Sequence, residues 1–243
     1  MAGRIALDGA PNRILKPGQL VPADARVSVL AGPRYASRAA TKLLAGLDAF
    51  AVEVAARTCL DAGASTGGFT DVLLERGARR VYAIDVGRGQ LIERLRHDPR
   101  VVTMEGVNLR DVASLPEAID LATLDLSFIS LRLVLPVVRR LLTDTGRAVA
   151  LVKPQFEAGR DEVPRSGVVR DPDVHRSVLI GFRDAAVQAG FLPTGVIPSP
   201  LRGHEGNQEF LVDLRATSAS AGGASPLDWP ESVERAVRPM GGE

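Results

Sequence analysis

Lysine is rare in this chain, which makes each lysine informative. Of the 30 basic residues among 243, 27 are arginines, and the lysines are Lys16, Lys42 and Lys153. A lysine amine can lose its proton when it is desolvated or crowded by other charges, whereas an arginine guanidinium effectively cannot. We interpret Lys16, in a turn, as a structural or surface residue, and we expect Lys42 and Lys153 to take part in chemistry. The alternative is that a few lysines survive by chance.

Asp125 and Lys153 each follow an apolar run that is typical of a buried strand. Asp125 comes directly after residues 121–124, and Lys153 comes directly after residues 148–152. Parallel strands end at the same edge of a sheet, which is where open α/β sheets bind their ligands. We therefore expect this carboxylate and this amine to lie side by side at a ligand crevice. The alternative is a plain ion pair.

A glycine-rich turn follows the strand that contains Asp61, and a second strand ends at Asp85. Small residues in such a turn let a nucleoside cofactor approach the backbone, and the second carboxylate accepts the ribose hydroxyls. The turn lacks the Gly-x-Gly-x-x-Gly spacing, which favours S-adenosylmethionine over a nicotinamide cofactor. Asp61 and Asp125 would also attract the positive sulfonium of S-adenosylmethionine. The alternative for Asp61 is a structural cap on the turn.

The predicted cofactor site extends past this turn to the ends of the next two strands. Asp85 would hold the ribose, and Asn108 lies where the adenine edge would be read. The predicted cofactor contacts are Asp61, Gly63, Ala64, Ser65, Thr66, Gly67, Gly68, Phe69, Asp85, Val86, Asn108 and Asp125.

The elements that must position these residues alternate between strand and helix. Strands are predicted near 57–61, 80–85, 100–104, 121–125 and 147–152, and helices near 68–76, 89–96, 130–142 and 173–189. Ser37 can cap a further helix that runs to about Ala55. Two last strands, near 192–198 and 208–214, have no helix between them and predict an antiparallel hairpin. The pattern predicts an α/β fold with a mostly parallel, Rossmann-like sheet of the class I methyltransferase type.

Composition bounds the class of protein. Apolar residues make up 45% of the chain and the net charge is +1, so we expect a buried core and no global basic field. The single cysteine, Cys59, lies in an apolar strand and is expected to be a buried structural thiol. The start of the chain has no apolar run of secretory type, and no run approaches a membrane span, so we expect a soluble, cytoplasmic protein.

The first 31 residues have the pattern of a small unit of their own. Strands are indicated around Ile5–Leu7 and Val27–Leu30, with turns at Asp8-Gly9 and Lys16-Pro17-Gly18. Residues 1–50 carry seven basic against three acidic side chains, a local charge of +4 that suits a phosphate backbone. The alternative is a solvated charged face.

Five motifs together resemble the TlyA (haemolysin A) family. They are the segments 61–70, 125–130, 151–157, 167–171 and 206–211. This resemblance, which runs from about residue 1 to about residue 240, implies an FtsJ-like catalytic domain and 2′-O-methylation of ribosomal RNA with S-adenosyl-L-methionine. It also implies that a Lys-Asp-Lys-Glu tetrad surrounds the ribose hydroxyl, falling on Lys42, Asp125, Lys153 and Glu209.

The chain departs from this family in two places. Ala39 and Ala40 stand where the family usually has glycine, which could shift Lys42. The N-terminal strands resemble the second half of an S4-type RNA-binding module, whose helical half is missing. We therefore predict a partial S4-like unit over 1–31 and a methyltransferase domain over 32–215. The remaining segment, 216–243, is predicted to contain a low-complexity linker over 216–226 and a short helix near 230–237.

The resemblance implies a mechanism, a substrate and partners. We expect Lys153 to contact the 2′-hydroxyl, as a base if neutral or as a stabiliser of negative charge if protonated, with Asp125 and Glu209 orienting the amines. The expected substrate is ribosomal RNA or ribosomal subunits, with cytidine as the nucleoside. We expect a monomer that acts without a membrane. We expect no metal, because His97, His175 and His204 show no metal-ligand spacing.

Three other functions remain as alternatives. The chain could be a nicotinamide-dependent oxidoreductase on the same sheet, which would have no use for converging lysines and Glu209. It could be a cytolysin, as the older family name implies, although no strongly amphipathic apolar segment supports pore formation. It could also be a non-catalytic RNA-binding protein.

Overall fold

The computed structural model describes residues 5–7, 10–14, 18–29, 32–217 and 228–238. The chain forms two compact units, Met1–Arg34 and Tyr35–Glu243. The turns predicted at Asp8-Gly9 and at Lys16-Pro17, and the linker from residue 218 onward, lie outside the described residues. The predicted assignments of a partial S4-like unit and of a C-terminal linker remain predictions.

The first unit contains a small antiparallel sheet. Its strands are β1 (Ile5–Leu7), β2 (Ala10–Ile14) and β3 (Val27–Val29), in the order β2-β1-β3. β1 pairs with both neighbours, and Leu7 stands opposite Ala10 where the chain turns back. The predicted strands at Ile5–Leu7 and from Val27 are confirmed. The sequence pattern missed β2, which contains Pro11 and polar residues instead of an apolar alternation.

The second unit is built on a seven-stranded sheet in the order β6-β5-β4-β7-β8-β10-β9. The first five positions are parallel, and β10 runs antiparallel between β8 and β9. The α/β class and the antiparallel C-terminal hairpin are therefore confirmed. The strands are β4 (Thr58–Ala62), β5 (Arg80–Asp85), β6 (Val101–Glu105), β7 (Ile119–Leu124), β8 (Leu142–Val152), β9 (Phe191–Pro198) and β10 (Phe210–Ala216).

Helices cover both faces of this sheet. They are α1 (Ala39–Ala49), α2 (Gly68–Glu75), α3 (Glu93–Arg96), α4 (Leu135–Leu141), α5 (Pro154–Glu157), α6 (Pro172–Gln188) and α7 (Trp229–Val237). Successive residues of a strand point to opposite faces, so Cys59 packs with the cluster that includes Leu43 and Leu47 of α1, and Leu60 packs with the cluster that includes Phe182 of α6. Burial raises the pKa of the Cys59 thiol to about 12, as expected for a structural thiol.

The ends of several helices differ from the sequence pattern, and hydrogen bonds or backbone angles explain the differences. The first helix stops at Ala49 rather than near Ala55, because Ala51 takes a positive φ of 49° and the chain reverses. The helix predicted from 89 begins only at Glu93, since the Glu105 carboxylate accepts hydrogen bonds from the Gln90 and Leu91 amides.

Two segments predicted to be irregular contain regular structure. The loop expected from Pro154 begins with a turn of helix, α5, and the residue given as the start of the linker, Ala216, still belongs to β10. The helix predicted over 130–142 is divided into a 3-10 turn at Leu131–Leu133 and α4, and β8 begins directly afterwards at Leu142.

Candidate active site

Two adjoining cavities lie at the carboxyl ends of the parallel strands. The first cavity has a volume of about 490 Å³ and the second of about 580 Å³. Because parallel strands present their carboxyl ends at one edge, this is where an open α/β sheet binds ligands. The two cavities share part of their lining, so ligands bound in them would meet. The shared residues are Gly63, Ser65, Asp125, Ser127 and Phe128.

The first cavity brings together all four residues of the expected tetrad. Lys42, Asp125, Lys153 and Glu209 line it. Lys153 forms an ion pair with Asp125, with 2.8 Å between Nζ and Oδ1, and Lys42 Nζ donates a hydrogen bond to Glu209 Oε2. Both lysines and Glu209 are buried. Two amines and two carboxylates, far apart in the chain, therefore face one space.

Three elements of the sheet and one helix deliver these side chains. Asp125 and Lys153 each follow the last residue of a strand, β7 and β8 respectively, and these strands are parallel neighbours. Phe210, which starts β10, pairs with Val152, and this register puts Glu209 beside the end of β8. Helix α1 carries Lys42. Each buried charge has an opposite partner, which offsets the cost of removing it from water.

The glycine-rich turn approaches the end of β7 closely. Gly63 has a φ of 87°, and a Cβ there would collide with the backbone carbonyl oxygen of Asp125. Gly67 has a φ of 101°, and a Cβ there would collide with Leu95. Gly63, Ala64, Ser65, Thr66, Gly68 and Phe69 all line the first cavity, whereas Gly67 lies outside both linings. Gly67 therefore serves the packing of the turn against α3.

Asp61 does not face either cavity, which corrects the expected contact with a sulfonium. Its side chain is fully buried and accepts a hydrogen bond from the Thr70 hydroxyl at 2.6 Å, with the Thr123 hydroxyl at 3.5 Å. Burial raises the pKa of this carboxyl to about 7, so a large share of the group is protonated at neutral pH. The structure agrees with the alternative, in which Asp61 anchors the start of the turn through Thr70.

The second cavity combines apolar walls with two carboxylates, Asp85 and the shared Asp125. Asp85, at the end of β5, accepts hydrogen bonds from the Ser65 and Gly87 amides at 2.8 and 2.7 Å. Asp85, Val86 and Asn108 line this cavity together with Ile84 and Leu109. Asn108 caps a 3-10 turn by accepting a hydrogen bond from the Arg110 amide. An apolar pocket with a carboxylate at its rim fits the base and ribose of an adenosyl cofactor.

The chain matches the FtsJ-like methyltransferase family over residues 35–216. The chain belongs to this family. It is 45% identical to the 16S/23S rRNA (cytidine-2′-O)-methyltransferase TlyA of Mycobacterium tuberculosis, over 97% of this chain and 88% of that protein. The expected membership of the TlyA family is therefore confirmed.

One solved structure agrees with the family assignment, and a more distant one agrees with the fold. A hemolysin-named protein from Streptococcus thermophilus is 41% identical, with a TM-score of 0.79 over 97% of this chain and 86% of that chain. An S-adenosylmethionine dependent methyltransferase from Mesorhizobium loti is 16% identical, with a TM-score of 0.53 over 72% of this chain and 97% of that chain, and it shows the fold alone.

Phe128 and Phe156 form an aromatic pair in the lining of the first cavity that the sequence pattern did not predict. Phe128 is 91% exposed and has a positive φ of 62°, and its ring centroid lies 5.2 Å from that of Phe156. Both rings line the first cavity. A non-glycine residue with positive φ is strained, and such strain clusters at functional sites. The signal in the sequence was a phenylalanine shortly after each of two strand ends, in a chain that is only 4% aromatic.

Buried polar groups brace the loops around the site. Glu157 accepts hydrogen bonds from the Ser130 hydroxyl and the Leu131 amide at 2.6 and 2.7 Å, and burial raises its pKa. The Asn207 side chain bonds the Gly167 carbonyl and the Val169 amide, both at 2.9 Å. These contacts tie the segment after β7 to α5, and the loop before α6 to the segment that carries Glu209.

The described residues give no support for a metal site or for a membrane-spanning helix. His175 is buried, lies 3.1 Å from the Val169 carbonyl and packs edge-on against Phe210, so it is structural. The described residues contain no group of three or more His, Cys, Asp or Glu side chains that could hold a metal ion. Within the described part of the chain, no helix is both long and apolar enough to cross a membrane.

Proposed function

We propose that this protein transfers a methyl group from S-adenosylmethionine to the ribose 2′-hydroxyl of a cytidine in ribosomal RNA. The observation that carries the proposal is the pair of lysine–carboxylate contacts, Lys42–Glu209 and Lys153–Asp125, facing one cavity beside a second cavity that suits a nucleoside. The activity of the Mycobacterium tuberculosis relative, a 16S/23S rRNA (cytidine-2′-O)-methyltransferase, supports the nucleoside and the position of the modified oxygen.

The second cavity would hold the adenosyl group, with Asp85 accepting the ribose hydroxyls and Ile84 and Leu109 against the base. The bound cofactor supplies a methyl group already activated by a positive sulfonium. The protein must therefore align the 2′-oxygen and manage its proton. Asp61 lines neither cavity, so it would support the site by holding the turn through Thr70 rather than by touching the cofactor.

The first cavity would hold the target nucleoside. Lys153 contacts the 2′-hydroxyl, taking its proton if the amine is neutral or stabilising negative charge on the oxygen if the amine is protonated. Asp125 holds the Lys153 amine, and Glu209 holds the Lys42 amine on the other side of the tetrad. The exposed ring of Phe128 offers a surface on which a base can stack.

The N-terminal unit would contribute to RNA binding. Its support is its own local charge of +3, from five basic and two acidic side chains over residues 1–34, and the resemblance of its strands to half of an S4 module. We further propose that the protein acts in the cytoplasm as a monomer, on ribosomal RNA or on ribosomal subunits.

The test is a methyl-transfer assay with ribosomal subunits and naked ribosomal RNA from a strain that lacks the enzyme. Purified protein and tritiated S-adenosylmethionine should label the RNA, and mass spectrometry of digested nucleosides should show 2′-O-methylcytidine. Binding of S-adenosylmethionine and of nicotinamide dinucleotide, each measured by calorimetry, separates the methyltransferase from the oxidoreductase. No label in either RNA sample, or label on a base instead of a ribose, would overturn the proposal.

A further inference from the structure

We propose that Ser127 is a positioning residue that aims the Lys153 amine at the 2′-hydroxyl, an inference that rests on the proposed function. Ser127 Oγ accepts a hydrogen bond from Lys153 Nζ at 2.8 Å. Among the described residues, Lys153 is the hydrogen-bond partner of this hydroxyl. Ser127 also lines both cavities, so it lies where a nucleoside and a methyl donor would meet.

The ion pair with Asp125 cannot by itself set the direction of the amine. Coulomb attraction between Lys153 and Asp125 depends mainly on distance, so it tolerates rotation about the Cε–Nζ bond. A hydrogen bond weakens steeply when it departs from linearity, and it therefore fixes that rotation. The contact with Ser127 adds the directional constraint that the ion pair lacks.

The two contacts leave one direction of the tetrahedral nitrogen for a group bound in the first cavity. In a neutral amine this direction carries the lone pair, which accepts the 2′-hydroxyl proton as the oxygen forms its bond to the methyl carbon. In a protonated amine it carries an N–H that stabilises the developing charge on the oxygen. In both cases the Ser127 hydroxyl decides where the Lys153 nitrogen points.

The backbone around Ser127 holds the hydroxyl in place. The Asp125 amide donates to the Ala62 carbonyl at 2.9 Å on one side, and Glu157 binds the Ser130 hydroxyl and the Leu131 amide on the other. Phe128, with its positive φ of 62°, turns its own ring outward directly after Ser127. This segment is braced at both ends, so the serine is a built part of the site.

The kinetic test compares Ser127→Ala with Ser127→Thr, which keeps a hydroxyl, and with Thr145→Ala, which removes an exposed hydroxyl from the far end of β8. We expect Ser127→Ala to lower kcat about 10- to 100-fold, with KM for RNA and cofactor within about twofold, because a misaligned group slows chemistry more than binding. Ser127→Thr should recover most of the rate, and Thr145→Ala should match the wild type. An unchanged kcat in Ser127→Ala, or a change in KM alone, overturns the assignment.

A second measurement needs no activity. The chain has only three lysines, so ¹³C labelling at lysine Cε gives three NMR signals, and the Lys153 signal is the one missing from Lys153→Arg. We expect Ser127→Ala to lower the order parameter of the Lys153 signal and to leave those of Lys16 and Lys42 unchanged. Unchanged order at Lys153 would show that Ser127 does not position it. If the wild-type protein transfers no methyl group, the proposed function fails, and this measurement still decides the role of Ser127.

Discussion

The two cavities are built from different parts of the chain. The second cavity takes its key residues from consecutive strand ends and turns, with Asp85 at the end of β5 and Asn108 shortly after β6. The first cavity gathers Lys42 from α1 and Glu209 from the position just before β10, and these two residues are 167 positions apart. The residues of the nucleoside pocket therefore follow from strand ends that the sequence pattern predicts. The tetrad forms only once α1 packs on the sheet and β10 pairs with β8.

The chemistry of the two cavities differs in the same way. In the first cavity, two lysine amines are each paired with a carboxylate. The second cavity has no lysine, and there Asp85 stands against apolar side chains such as Ile84 and Leu109. Paired charges around one space suit proton transfer and charge stabilisation, and a pocket of the second kind suits binding. Substitutions in the first cavity should therefore change turnover, and substitutions in the second should change cofactor affinity.

The largest expected effect is at Lys153. Lys153→Ala and Lys153→Arg should each lower kcat by roughly 1,000-fold, because alanine removes the amine and arginine cannot act as a base at neutral pH. Cofactor affinity should stay within about threefold of the wild type, since Lys153 lies outside the second cavity. Single-turnover methyl transfer and calorimetry measure the two quantities. Near-normal turnover in Lys153→Arg would rule out the base role, and near-normal turnover in Lys153→Ala would remove this residue from the chemistry.

Substitution at Asp85 should give the opposite pattern. Asp85→Asn keeps the shape of the side chain but weakens its acceptance of ribose hydroxyls, and we expect cofactor affinity to fall by about 10- to 100-fold, in line with a charged hydrogen bond. At saturating cofactor, kcat should remain within about threefold of the wild type. The measurement is a cofactor titration of both kcat and Kd. A large loss of kcat with unchanged Kd would erase the proposed division between the cavities.

The division between the cavities also explains how much the sequence could predict. The strand ends that carry Asp85, Asp125 and Lys153 follow from apolar runs and from the rule that parallel strands end at one edge. The rarity of lysine pointed to Lys42, but its pairing with Glu209 came only from the family resemblance. That pairing depends on the packing of α1 and on the register of β10 against β8. No local pattern encodes such a register.

Other features were missed for physical reasons. Phe128 is exposed and has a positive φ, and no residue pattern in the sequence predicts either property. Asp61 could not be assigned from the sequence, because a carboxylate at a strand end can face a ligand or the core with equal ease, and here the Thr70 hydroxyl draws it inward. Tertiary contacts determine whether a side chain is buried and which way it points, and the assignment of a strand does not predict these contacts.

A smaller effect is expected at Phe128. Phe128→Ala should raise KM for RNA by about 10-fold, because stacking of one base on an aromatic ring contributes about 1–3 kcal/mol. Its ring is 91% exposed, so the free energy of unfolding should not fall appreciably. Phe128→Tyr, which keeps a ring, is the matched control and should behave like the wild type. An unchanged KM for RNA in Phe128→Ala would show that no base stacks on this ring.

The smallest effect on catalysis is expected at Asp61, which acts on stability. Burial raises the pKa of its carboxyl from 3.8 to about 7. Between these two values the unfolded chain releases the Asp61 proton while the folded chain retains it, so the unfolded state binds fewer protons and stability falls as pH rises. Below pH 3.8 both states are protonated and above about pH 7 both are ionised, so the contribution of Asp61 is flat outside this window.

Asp61→Asn removes this titration without changing the size of the side chain. As pH rises from about 4 to 7, the variant should gain stability relative to the wild type, by up to roughly 4 kcal/mol in the free energy of unfolding. Urea denaturation at fixed pH values measures the difference, and Asp144→Asn, at an exposed carboxylate, serves as the control with no such trend. Because Asp61 lies outside both cavities, kcat for Asp61→Asn should stay close to that of the wild type. Parallel stability curves for the variant and the wild type would show that Asp61 is charged in the fold, and a contact with the cofactor would again have to be considered.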